Sequence, residues 1–98
     1  MKTLKKVPVR LEFVETMPEF EEMEETVIYV SERFGCAIHR CLCGCGEQVV
    51  MSLKPKWDNG WNLFEEKPGK YTFSPSVGNY NFPCRSHYII TKGVANFV

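Results

Sequence analysis

Two short segments far apart in the chain carry four of its five cysteines and both of its histidines. Residues 39–46 read His-Arg-Cys-Leu-Cys-Gly-Cys-Gly, and residues 82–88 read Phe-Pro-Cys-Arg-Ser-His-Tyr. A zinc ion takes four Cys or His ligands in a tetrahedron, and drawing them from two distant segments staples the elements that carry them. Any fold for this chain therefore has to bring the two segments together. Cys84 and His87 form a C-x-x-H pair that can grip an ion from a turn. Cys41, Cys43 and Cys45 alternate, which on an extended strand puts all three on one face. Gly44 and Gly46 let the loop turn tightly, so that its amides can approach the sulfurs.

Five candidates compete for four places. The expected ligands are Cys43, Cys45, Cys84 and His87, with Cys41 as the alternative, around one structural zinc. Two other readings stay open at this point: an iron–sulfur cluster with mixed ligands, and buried free thiols behaving as small hydrophobes. Cys36 lies outside both groups and reads as a half-buried strand residue.

The surrounding sequence predicts β structure. Short runs rich in Val, Ile, Phe and Tyr recur at 7–14, 26–30, 36–41, 48–53, 61–65, 71–74, 87–91 and 94–98, separated by Pro, Gly, Asn and Asp. Lys67-Pro68-Gly69 and Lys92-Gly93 read as hairpin turns. Residues 54–60 and 74–83 read as loops. The one helical candidate is Pro18–Glu25, of one or two turns at most. The expected fold is a mostly β single domain spanning 1–98, an antiparallel sheet, sandwich or partial barrel stapled by one zinc site, with residues 1–6 as a flexible basic arm.

With 98 residues the chain has room for one domain and a thin core, so a metal staple would add stability that packing alone supplies poorly. The 12 basic and 12 acidic residues cancel, which argues against nucleic acid as a partner. Six of the acids fall between Glu15 and Glu25, which reads as a solvated loop or as a docking surface for a basic partner. No apolar run is long enough to cross a membrane. The basic start MKTLKKVPVRLEF is not followed by the apolar stretch of a secretory signal. The expected location is the cytosol, where thiols are kept reduced and clustered cysteines point to metal more than to disulfides.

The motifs H-x-C-x-C-G-C-G and P-S-x-G-N-x-x-F-P-C-x-S-H-Y resemble those of a bacterial domain family encoded beside genes for ubiquitin-like proteins and their activating and conjugating enzymes. The resemblance covers roughly residues 26–92. It rests on His39, Cys41, Cys43, Gly44, Cys45 and Gly46, then on Ser76, Gly78, Asn79, Pro83, Cys84, Ser86, His87 and Tyr88. It implies a ubiquitin-like protein, or the enzymes that conjugate it, as partner. It also raises a peptidase that matures or removes such a protein.

The residues then constrain the chemistry. A zinc hydrolase needs an open coordination position and a nearby base, and a thiolate-rich closed site offers neither. A serine mechanism is easier to build. Ser76 precedes Val77-Gly78-Asn79, a loop able to present amides to an oxyanion. Ser86 lies inside the C-x-x-H pair. If His87 binds zinc, His39 is the histidine left to act as base, so the candidate catalytic residues are His39 with Ser86 or Ser76. The competing reading is a non-catalytic zinc module, with Trp57, Trp61, Tyr80 and Phe82 as contacts for the ubiquitin-like protein or its conjugating enzymes.

Overall fold

The computed structural model describes residues 5–98. Ten strands run in chain order: β1 (Lys6–Pro8), β2 (Arg10–Phe13), β3 (Val27–Ser31), β4 (Cys36–Arg40), β5 (Gln48–Ser52), β6 (Asn62–Lys67), β7 (Lys70–Ser74), β8 (Val77–Gly78), β9 (His87–Thr91) and β10 (Val94–Phe97). Among the described residues there is no α-helix, and so none long and apolar enough to cross a membrane. The mostly β fold expected from the runs of branched and aromatic residues is the fold observed. Of the basic arm placed at residues 1–6, all but Lys5 and Lys6 lies outside the described residues, and Lys6 opens β1.

The strands form two four-stranded sheets, ordered β1-β10-β9-β8 and β2-β3-β4-β5, together with the β6-β7 hairpin. The Lys67–Gly69 and Lys92-Gly93 turns close the β6-β7 and β9-β10 hairpins as expected. The apolar run at 7–14 is split between the sheets. Val9 lies between β1 and β2 and donates its amide to Gly93 O at 2.9 Å. Ile28 and Val30 of β3, Met51 of β5, Phe73 of β7 and Tyr88 and Ile90 of β9 meet in one core, so the two sheets and the hairpin bury a common interior.

β2 runs parallel to β3, whereas the other pairings between named strands among the described residues are antiparallel. A parallel neighbour needs a long crossover to return the chain, and the acidic segment 14–26 is that crossover. The helix expected at Pro18–Glu25 shrinks to a single 3-10 turn at Phe20–Glu22. The segment keeps its glutamates exposed and turns Met17, Phe20 and Met23 inward onto Val27, Tyr29 and Ile38. Arg40 pins it from the end of β4. Its guanidinium donates to Met23 O at 2.8 Å and to Phe20 O at 2.7 Å, and lies 4.2 Å from the Phe20 ring centroid. β3 is thus covered on both sides, and all five of its residues are buried.

Arg40→Ala should release this crossover. Hydrogen bonds to a charged donor contribute about 1.5–3 kcal/mol each at most, so a loss of about 2 kcal/mol is expected in denaturant unfolding. Glutamate-specific proteolysis should then cut at residues 19–25 well before the rest of the domain. Cleavage there at the parent's rate would contradict the pinning role.

Candidate functional site

β4 ends at Arg40, and Cys41 begins the loop that returns to β5. The Cys41 amide donates to Glu47 O at 2.8 Å, and Gly44 N donates to Cys41 O at 3.0 Å. Gly44 (φ +91°) and Gly46 (φ +87°) sit in the left-handed region, which lets the loop fold back and turn Cys43 and Cys45 toward Cys41. Cys84 arrives from the loop between β8 and β9. The four sulfurs of Cys41, Cys43, Cys45 and Cys84 all lie within 4.8 Å of one another. Cys41 Sγ is 3.4 Å from Cys43 Sγ and 3.8 Å from Cys84 Sγ. Sulfurs bound at about 2.3 Å to one tetrahedral ion stand about 3.8 Å apart, so the cluster is of a size to hold one metal ion.

The second layer of this cluster is built where the chain leaves β8 and enters β9. Ser86 Oγ lies 3.1 Å from Cys41 Sγ and 3.5 Å from Cys84 Sγ. The Asn79 side-chain amide donates to Ser86 Oγ at 3.0 Å and reaches Tyr88 Oη at 3.4 Å. Tyr88 Oη in turn lies 2.8 Å from His39 Nε2. The hydrogen bond to Ser86, against opposing burial, pulls the Cys84 thiol down to about 6, whereas burial and the neighbouring thiols push Cys43 up to about 12. A divalent ion held by these sulfurs would favour their thiolate forms.

The arrangement corrects the expected one in two places. His87, expected among the ligands, lies outside the cysteine group, and Cys41, the expected alternative, lies inside it. The reason is the alternation of side chains along a strand. In the β8-β9 pair Val77 faces Tyr88 and Gly78 faces His87, while Asn79 N donates to Ser86 O at 2.8 Å. Val77, Asn79, Ser86 and Tyr88 therefore share the inner face with the cysteines, and His87 points to the other side.

There His87 meets Ser76. Ser76 lies just ahead of β8, two residues before Gly78. Its Oγ is 2.7 Å from His87 Nε2. The second correction concerns His39, expected as a base for Ser86 or Ser76. It is fully buried, and burial pulls it down to about 4, so the ring is neutral at ordinary pH. Its contact is Tyr88, and its Nδ1 has no hydrogen-bond partner among the described residues. Ser86 is brought to the cysteines rather than to a histidine. Of the aromatics singled out as contacts, Trp57 and Tyr80 are exposed, whereas Trp61 and Phe82 pack against the core. The Trp61 indole donates to Ser76 O at 3.2 Å.

A serine hydroxyl in hydrogen-bond contact with an imidazole is the nucleophile–base arrangement of the serine hydrolases, here carried on a small β protein with a cysteine cluster of metal-binding size. The family model described as bacterial ubiquitination-like system serine protease (BubE) matches residues 13–98, and the chain belongs to that family. Neither a curated protein nor a solved structure matches it.

Protein purified without chelators should carry one metal ion per chain. Cys41→Ser and Cys84→Ser should lose that ion and melt about 10 °C or more below the parent, because ligation energy is folding energy in a small domain. Cys36→Ser, on half-buried β4, should keep both metal and melting temperature. Equal metal content in Cys41→Ser and the parent, measured by elemental analysis, would contradict the cluster.

Proposed function

We propose that this chain is a serine-type peptidase of its bacterial ubiquitination-like system, cutting the C-terminal peptide or isopeptide bond of a ubiquitin-like protein in the cytosol. The observation that carries the reading is the 2.7 Å contact between Ser76 Oγ and His87 Nε2. Ser76 Oγ attacks the carbonyl carbon as His87 Nε2 takes the hydroxyl proton. The C–N bond then breaks, and the proton passes from Nε2 to the leaving amine. Water hydrolyses the resulting ester, with His87 again as base.

The metal in this reading is one structural zinc on Cys41, Cys43, Cys45 and Cys84. Four thiolates suit zinc and close its coordination sphere, and the ion holds the β4-β5 loop to the β8-β9 loop. The residues that touch the cluster, just after β8 and just before β9, are Asn79 and Ser86. The peptides that carry them continue directly into Gly78 and His87 on the opposite face. A metal held there would fix the strand pair beside Ser76 and under His87.

The test is cleavage of a linear fusion of two ubiquitin-like domains from the same bacterial system. Ser76→Ala and His87→Ala should each lose activity by about 10³-fold or more while keeping the parent's metal content and melting temperature. His39→Gln should disturb stability more than it disturbs the cleavage rate per folded molecule. If the parent binds the fusion but never cuts it, the non-catalytic zinc module is the better reading. If Ser76→Ala cuts at the parent's rate, the nucleophile is elsewhere.

A further inference from the structure

We propose that Tyr80 is the positioning residue for His87, restraining the imidazole by ring contact where a carboxylate does so in a three-residue serine site. This rests on the reading of Ser76 and His87 as nucleophile and base.

The chain leaves β8 through a tight turn in which Phe82 N donates to Asn79 O at 3.1 Å. Tyr80 is at the corner of that turn, and the residue is 56 % exposed. The ring nevertheless has a defined seat. It folds back over Gly78, where a Cβ would come within 2.6 Å of its Cε2. Its centroid is 5.6 Å from that of His87, with the planes inclined at 56°. Gly78 is the residue directly across the strand pair from His87. The missing side chain at 78 is therefore the space through which Tyr80 reaches the imidazole.

A histidine base needs Nε2 aimed at the serine, yet rotation about the bond to its ring is broad. In a Ser-His-Asp site a buried carboxylate on Nδ1 holds the ring in place and stabilises the imidazolium that forms. Among the described residues no acidic side chain lies within ion-pair distance of His87. An inclined aromatic ring against the imidazole supplies both effects by other means. Packing restricts the ring's rotation, and the electron-rich face of a phenol favours a neighbouring cation. Both act on the step in which His87 becomes charged, so the effect belongs in kcat. The Tyr80 hydroxyl has no part in this.

The test uses the full chain with its metal and the same linear fusion of two ubiquitin-like domains, comparing parent, Tyr80→Phe, Tyr80→Ala and Gly78→Ala. Metal content and melting temperature are measured for each. Tyr80→Phe should stay within about twofold of the parent. Tyr80→Ala should lose roughly tenfold or more in kcat, in keeping with the sensitivity of catalysis to small misplacements, with KM little changed. Gly78→Ala should show the same kcat defect with Tyr80 present, because its methyl displaces the ring. The His87 ring resonances should shift or broaden in both. Parental kcat in Tyr80→Ala overturns the proposal, as does a loss confined to KM, which would make Tyr80 a substrate contact. A Tyr80→Phe defect equal to that of Tyr80→Ala also overturns it. If Tyr80→Ala proves unstable, the kcat of Gly78→Ala and its His87 resonances decide alone. Should Ser76→Ala also cleave at the parent's rate, the serine reading itself has failed. If Ser76→Ala is inactive while Tyr80→Ala matches the parent, the role of Tyr80 alone has failed.

Discussion

From Ser86 into β9 the side chains alternate between two faces, and the two halves of the site are divided by that alternation. Ser86 and Tyr88 face inward to the cysteines and His39, while His87 between them faces outward to Ser76. The end of β8 mirrors the arrangement, with Gly78 opposite His87 and the following Asn79 inward. The same pair of strands thus carries a cysteine cluster on one side and a serine–histidine pair on the other. No residue serves both, yet neither side can move without the other, because consecutive residues share peptide bonds.

β8 is only two residues long, and so short a strand has little pairing energy of its own. What fixes it is lateral. Val77 is buried in the main core, the Asn79 amide bonds Ser86 Oγ, and the Trp61 indole bonds the carbonyl of Ser76. A domain of this length has few apolar residues to spare, which makes a metal staple beside its shortest strand physically sensible. The buried line from His39 through Tyr88 and Asn79 to Ser86 extends that support into the core. A polar network of this kind is stable only when nearly every member is satisfied, and here His39 Nδ1 is the one buried side-chain nitrogen or oxygen without a hydrogen-bond partner among the described residues.

Most strands were legible in the sequence, because branched and aromatic runs end at clear turn signals. β8 was not. Pro75, Gly78 and Asn79 read as loop, and nothing local distinguishes a two-residue strand from a turn. The C-x-x-H spacing misdirects the ligand assignment for a related reason. It reads as a turn, yet His87 already belongs to the run His87-Tyr88-Ile89-Ile90-Thr91, in which Tyr88 and Ile90 are buried. Carrying that period back one step puts His87 on the outer face and Ser86 on the inner one. The parallel β2-β3 pair and the inward His39 have a further cause. β3 is buried along its whole length between the main core and the acidic crossover, whereas β4 alternates, with half-buried Ile38 against the crossover and buried His39 against Tyr88. Two-sided burial of β3 erases the alternation from which facing is read.

The division of the site into two faces is tested most directly by a serine-reactive fluorophosphonate, with the modified residue located by mass spectrometry of the metal-loaded protein. The account predicts a single adduct on Ser76, absent from His87→Ala, with the metal retained after labelling. An adduct on Ser86, or a preparation that cleaves its substrate yet takes no label, would contradict it.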